Sequence, residues 1–351
     1  MRKEGQKKVI VGMSGGVDSS ISVALLKDQG FEVTGVFMRL VKSKKFNKAE
    51  KEARIIAKYL NIPFLVFDFH KEFQKKIIDY FLKEYQRGIT PNPCIKCNQE
   101  IKFGLFFNKA LKLKSDYFAT GHYARKQETR NKKQGTGYRL LKGKDKSKDQ
   151  SYFLWTLNQK QLKRILFPVG NYTKKEVRKM AKRLGILKLV RKESEDICFI
   201  ENNFGQFIKK HLSLKTGPIL DIDGKIIGQH SGLSLYTIGQ RKNIRIPGPK
   251  PYYVLKLDFK RNALVVSQNE KDLYNKELTL KKVNWISGKK PKFPTTVSVK
   301  IRYRHKGSKA IVDKSGRSIK VKFLKAQRAI TPGQSVVFYK ENEVLGGGVI
   351  K

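Results

Sequence analysis

The chain has 351 residues, 39% hydrophobic and 11% aromatic, enough for packed cores, which excludes a chain disordered throughout. Lysine and arginine number 76 against 29 acidic residues, a formal charge of +47 that draws polyanions; with this many aromatic platforms, a folded nucleic-acid-binding protein is expected. No run of about twenty apolar residues occurs and Met1-Arg2-Lys3-Glu4 does not lead into a signal peptide, so no membrane partner and a cytoplasmic location are expected.

The length favours two or three domains. Val9-Ile10-Val11 predicts a first strand, Ser14-Gly15-Gly16 a tight turn followed by Asp18-Ser19-Ser20, and Ile21 onward a helix that stops at Gly30. Strand, glycine turn and helix leave unpaired backbone N–H groups aimed at the turn, and the glycines let the backbone close on a phosphate. Asp18 could hold a divalent cation, Mg2+, on the phosphate oxygens. The pattern is neither a Walker loop nor Gly-x-Gly-x-x-Gly.

Next come a strand over Glu32 to Met38, a charged helix from about Lys48 to Leu60, a strand over Pro63 to Phe67, and a helix over Glu72 to Tyr85. This alternation predicts a parallel sheet wrapped on both faces, with ligands beyond the carboxyl ends of its strands. Thr90 to Asn98 carries two prolines and reads as a stiff, extended loop, followed by a helix through Ile101 and Phe106 and a strand at Tyr117 to Thr120. Arg125 to Lys148 reads as an exposed basic arm or hairpin, with a solvated loop as the alternative. A basic helix from Thr173 to Leu184 precedes the segment Glu193 to Phe199. Beyond Gly217 the texture turns to strands and turns. Asp223-Gly224 marks a hairpin, and Val297 to Arg304 alternates so that Lys300, Arg302 and Arg304 share one face of a small barrel. Domains are expected at 1–212, 213–275 and 276–351.

Only Cys94, Cys97 and Cys198 are present, too few for a disulfide framework. Read alone, Cys94-x-x-Cys97 fits half a zinc site, a redox pair or no site, and Cys198 fits a buried apolar side chain.

Taken together, the segments resemble the tRNA-specific 2-thiouridylase family. The residues that carry the resemblance are Gly12 to Ser19, Thr90 to Pro93, Cys97-Asn98 with Ile101 to Phe103, and Ala119 to Arg125. Lys148 to Leu154, Asp196 to Ile200, His230 to Gly232 and Tyr236 to Lys242 continue it in the same order along nearly the whole chain. The resemblance implies an α/β doubly wound parallel sheet of the adenine-nucleotide alpha-hydrolase type, then a small central β-rich domain and a C-terminal β-barrel. It implies ATP-dependent 2-thiolation of the wobble uridine of tRNA, with acceptors for Lys, Glu and Gln, and a sulfur donor such as a cysteine desulfurase or a relay protein. ATP would meet Gly12, Met13, Ser14, Gly15, Gly16, Val17, Asp18, Ser19, Met38 and Gly121, while Asn92, Pro93 and Cys94 would meet the target base. Cys97 would be the nucleophile and Cys198 the persulfide carrier. His122, Lys148, Asp149, Gln150, Arg302, Tyr303 and Gln334 would touch tRNA.

The chemistry suits these residue types. A uracil oxygen is a poor leaving group until adenylated, and a persulfide is a soft nucleophile that a thiolate partner can resolve. A surrounding basic field is expected to lower both thiol pKa values. Two positions depart from the family. Cys94 replaces a usual Asp, and Asn243 a usual Gly, which leaves that turn's backbone open. The extra thiol admits a less favoured arrangement in which Cys94, Cys97 and Cys198 hold three corners of an iron–sulfur cluster. An ATP-dependent enzyme with an amine nucleophile would need no cysteine trio, and a non-catalytic RNA-binding protein would need neither trio nor loop.

Overall fold

The computed structural model describes residues 5–131, 135–190, 197–201 and 203–351; residues 132–134 of the expected basic arm and Glu193 to Asp196 lie outside them. Five parallel strands form the first sheet, in the order β3-β2-β1-β4-β7: β1 (Lys8–Met13), β2 (Glu32–Arg39), β3 (Phe64–Asp68), β4 (Tyr117–Thr120) and β7 (Ile165–Leu166). Side-chain alternation along β1 accounts for the two covering layers. Val9, Val11 and Met13 pack with Val23 and Leu26 of α1 (Val17–Asp28) and with Ala53 and Ile56 of α2 (Lys44–Tyr59), whereas Ile10 faces Phe103, Phe106 and Phe118 on the other side. Each such buried side chain contributes about 1.5–3 kcal/mol. The carboxyl ends of β1 and β4 thereby carry the glycine turn and Gly121 to one edge.

Several elements begin elsewhere than their residue patterns suggest. α2 starts four residues before Lys48, because Ser43 accepts the Phe46 N–H at 3.3 Å as its cap. The helix expected over Glu72 to Tyr85 is three pieces: α3 (His70–Phe73), a π-helical turn (Gln74–Ile78) and α4 (Asp79–Gln86). The expected extended loop at Thr90 to Asn98 is largely helical. Asn92 accepts the Ile95 N–H at 3.1 Å, Pro93 takes the first helical position where a missing N–H costs nothing, and α5 (Pro93–Cys97) follows. It runs directly into a π-helix (Asn98–Phe106) and α6 (Phe107–Lys112).

The basic arm is the hairpin β5 (Ala124–Asn131) and β6 (Gly135–Lys142). Instead of standing free, it extends the C-terminal sheet, with Val344 of β17 (Glu343–Ile350) opposite Leu140. Between the hairpin and the middle of the chain lie α7 (Gln159–Arg164), α8 (Lys174–Arg183) and α9 (Phe204–His211). A four-stranded middle sheet holds β8 (Gly217–Leu220), β9 (Ile226–His230), β10 (Tyr253–Asp258) and β11 (Ala263–Ser267), with the Asp223-Gly224 turn joining β8 to β9. Asn243 has φ 67°, a left-handed conformation that asparagine tolerates better than most residues, so the turn survives the loss of glycine.

The last six strands are β12 (Tyr274–Trp285), β13 (Thr295–Lys300), β14 (Ser308–Ser315), β15 (Ser318–Arg328), β16 (Ser335–Lys340) and β17 (Glu343–Ile350). They close on themselves through the pairing of β12 with β17. The basic alternation expected to Arg304 ends at Lys300, where the strand gives way to a turn closed by the His305 N–H on the Arg302 carbonyl at 3.1 Å. Lys300 and Arg304 therefore line a cavity that Arg302 does not.

Candidate functional site

The turn after β1 is built from its own hydroxyls. Ser19 Oγ accepts the Ser14 N–H at 3.2 Å and donates to the Gly16 carbonyl at 3.0 Å, while Ser20 Oγ donates to the same carbonyl at 2.9 Å. Gly15 has φ 76°, and a Cβ there would lie 2.7 Å from the Ala49 carbonyl, so glycine is required. At Gly121 a Cβ would come within 2.9 Å of the Ser19 nitrogen, which explains why the end of β4 can press against the start of α1. Gly16 precedes the first residue of α1 and its side-chain-free N-terminus is open, a ready anion cradle.

Asp18 carries two partners that the sequence reading missed. Its Oδ1 accepts from Tyr123 Oη at 2.7 Å and from Lys174 Nζ at 2.6 Å. Lys174 is held by the start of α8, where Thr173 and Glu176 form a reciprocal capping box. The Lys174 N–H also donates to Asp145 Oδ2 at 2.9 Å. The Thr-Lys-x-Glu pattern was legible as a helix start, but nothing in the sequence joined it to Asp18.

One cavity of about 1480 Å³ connects the anion cradle to the sulfur chemistry. Met13, Ser14, Gly16, Val17, Asp18 and Met38 line one part; Pro93, Cys94, Cys97 and Cys198 line another. Gly12, Gly15, Ser19 and Gly121 shape the wall from behind, and Asn92 acts as the helix cap described above. Cys198, distant in sequence, thus lines the same cavity as Cys94 and Cys97. Cys97 is buried in the aromatic core, whereas Cys94 and Cys198 meet solvent through a cavity walled by protein.

The expected lowering of the thiol pKa values is overturned. Burial pushes Cys97 up to about 12 and Cys198 up to about 11, and raises Cys94, against an opposing pull from Lys102 on all three. Desolvation outweighs the basic field because the lysines stand around the cavity and the sulfurs sit in its wall.

The remaining expected residues divide into liners and braces. His122, Lys148, Asp149, Gln150 and Tyr303 line the cavity. His122 is nonetheless buried between Phe103 and Phe167, bonded through Nδ1 to Thr120 Oγ1 at 2.8 Å, and its pKa is held well below the usual value by burial, then by Lys102. It presents a neutral ring. Asp149 accepts the Gly143 and Ser151 N–H groups at 3.0 and 3.1 Å, and Gln150 accepts the Tyr123 N–H at 3.0 Å. Tyr303 packs on Phe153 with ring centroids 4.5 Å apart. Arg302 turns to the Arg328 carbonyl at 3.0 Å, and Gln334 donates to the Thr90 carbonyl at 2.9 Å, bracing the barrel against the segment that leads into α5.

For Mg2+, Asp18 offers one carboxylate beside an anion cradle, which suits a cation that takes its other ligands from phosphates and water. Among the described residues, no group of three His, Cys, Asp or Glu side chains could hold a metal ion. No helix among the described residues is long and apolar enough to cross a membrane.

Comparison with known proteins finds a family model described as "tRNA methyl transferase HUP domain" over residues 7–202. A "tRNA methyl transferase PRC-barrel domain" follows at 205–268 and an "Aminomethyltransferase beta-barrel domain" at 275–350. The tRNA-specific 2-thiouridylase MnmA of Syntrophomonas wolfei is 46% identical over 344 residues, covering 98% of this chain and 99% of the relative. The protein of the same name from Clostridium acetobutylicum is 44% identical over 359 residues, covering 98% and 99%. A solved structure, the U34-tRNA thiolase NcsA from Methanococcus maripaludis with its [4Fe-4S] cluster, overlaps at a TM-score of 0.36 with 15% identity, over 59% of this chain and 65% of that one. An overlap so loose says nothing about the chemistry here. The family descriptions mention methyl transfer and the relatives' names thiolation; three thiols on a nucleotide-sized cavity suit the second.

Proposed function

This chain belongs to the tRNA-specific 2-thiouridylase family, tRNA sulfurtransferases acting on uridine, and from that premise we propose that it activates the wobble uridine with ATP and delivers sulfur from a persulfide on Cys198. The observation that carries the reading is the single cavity shared by Ser14, Gly16 and Asp18 with Cys97 and Cys198.

ATP places its phosphates on the N–H groups at the head of α1, with Met38 beside the adenosine. Lys174 and the turn hydroxyls position the pyrophosphate; Asp18 would hold Mg2+, which supplies charge neutralisation on the leaving group. The uracil O2 attacks the α-phosphorus and pyrophosphate leaves. The terminal sulfur of the Cys198 persulfide then attacks C2 and AMP leaves with the oxygen. The Cys97 thiolate attacks Cys198 Sγ, the sulfur–sulfur bond breaks towards the uridine, and a Cys97–Cys198 disulfide remains for reduction by a cellular thiol. A persulfide-bearing donor protein reloads Cys198. Asn92, Pro93 and Cys94 stand where the base enters, and Lys148, Gln150 and Tyr303 flank its path, with Asp149, Arg302 and Gln334 holding the surrounding turns.

The test is mass analysis of the wobble nucleoside after incubation of tRNA with enzyme, Mg-ATP and a persulfide-bearing sulfur donor. The expected product is 2-thiouridine, formed with AMP and pyrophosphate. Phosphate and ADP as nucleotide products, or an unchanged nucleoside, would overturn the reading.

A further inference from the structure

The mechanism requires sulfur to carry negative charge, yet it names no group that compensates that charge. Lys102 stands in the π-helix Asn98–Phe106, which continues directly from the helix that bears Cys94 and Cys97. In an α-helix, residues five apart diverge by about 140° around the axis. A ladder closing each residue on the fifth beyond it widens the turn and brings them nearer to one face. Cys97 caps this π-helix, and Lys102, five residues on, lines the same cavity as Cys97. Wide turns of this kind recur at functional sites.

The neighbouring charges leave Lys102 to this task. Glu100, on the same segment, is taken by Lys96 at 2.8 Å and Lys76 at 3.1 Å. Among the described residues Lys102 has no carboxylate partner. The cavity's other titratable groups are Asp18 at the nucleotide end, Lys45 from α2, and the neutral His122, with Tyr123 and Arg125, after β4; Lys142, Lys144, Lys146, Lys148 and Asp149 come from the hairpin's end and the loop after it, and Lys300, Tyr303, Arg304, His305 and Lys306 from the barrel. The charge of Lys102 opposes the rise of the Cys94, Cys97 and Cys198 thiols and lowers His122, and Lys45 adds to it at Cys198.

We propose that Lys102 is the counter-cation of the sulfur relay, a positioning residue whose ammonium follows the negative charge from the Cys198 persulfide to the Cys97 thiolate. The inference rests on the sulfur-transfer reading, and it adds the residue that makes thiols set in a protein-walled cavity ionisable. Without that cation the buried Cys97 sulfur would face the full cost of burying an anion, and the Cys198 sulfur would lose its opposing charge.

Full-length Lys102→Met and Lys102→Arg proteins test it by two measurements. First, the rate of iodoacetamide labelling of Cys198, read by peptide mass mapping, is followed from neutral to alkaline pH without tRNA. The Met variant is expected to label about tenfold more slowly at neutral pH, with its profile displaced to higher pH, and the Arg variant to restore most of the rate. Second, single-turnover sulfur transfer from persulfide-loaded enzyme is expected to slow by a similar factor in the Met variant alone. Superimposable labelling profiles, or an Arg variant as slow as Met, would overturn the assignment. The labelling needs no tRNA chemistry: if wild-type enzyme made no 2-thiouridine while the profiles still separated, the sulfur-transfer reading would fall and the role of Lys102 on the thiols would stand.

Discussion

Lys174 and Asp18 meet at 2.6 Å although 156 positions separate them, and that contact changes how the nucleotide site is understood. A carboxylate that in isolation reads as a cation ligand is shared with an ammonium, so Lys174 sits where it can pass to a phosphate once ATP arrives. Tyr123 fixes the same oxygen from the β4 side. Removing a preorganised donor to a developing anion costs about 10²–10³ in turnover. Lys174→Met is therefore expected to cut tRNA-dependent pyrophosphate release at least a hundredfold while tRNA binding measured without ATP holds. Pyrophosphate release at the wild-type rate would contradict that role. His122 teaches the opposite lesson: a polar residue in a matching motif proves to be a buried neutral ring among phenylalanines, bonded to Thr120, with only its cavity edge available to a ligand.

At the scale of elements, legibility followed how local the determining physics is. The strand at Val9 to Val11, the glycine turn and the helix after it are written in neighbouring residues, and the parallel sheet follows from repeating that unit. The Asp223-Gly224 hairpin was legible for the same reason. Pro93 misled because proline breaks a helix interior but suits its first position, and only the Asn92 cap distinguishes the two. The π-helix over Asn98 to Phe106 leaves no mark in periodicity at all, yet it carries Lys102 to the cavity that the thiols line. Likewise the β5–β6 hairpin was visible as a basic arm, but not its pairing with β17, which depends on a strand two hundred residues later in the chain. The thiol environment was invisible for a related reason: the sequence shows the charge of the lysines, not the depth of the sulfurs beneath them.

For the whole molecule, the excess of 47 positive charges finds a structural use in the cavity that the nucleotide-binding sheet, the hairpin loop and the barrel enclose together. Lys144, Lys146, Lys148, Lys300 and Arg304 reach it from different elements, so a polyanion would be gripped by parts that meet only in the folded chain. Binding of tRNA should then weaken steeply with salt, and Lys148→Ala or Lys300→Ala should each lower the slope of log affinity against log salt by about one. An affinity indifferent to salt, or slopes unchanged by these substitutions, would remove the polyanion from the account. The barrel's brace on Thr90 through Gln334 ties this surface to the segment that carries Cys94 and Cys97.

The sulfur relay itself is tested most directly by loading Cys198 with a radiolabelled persulfide, removing all free sulfide, and mixing the enzyme with tRNA and Mg-ATP for one turnover. The account predicts that label appears at C2 of the wobble uridine as a Cys97–Cys198 disulfide forms in equal amount. Label that stays on the protein while ATP is consumed, or transfer that proceeds undiminished in Cys97→Ser enzyme without any added thiol, would contradict it.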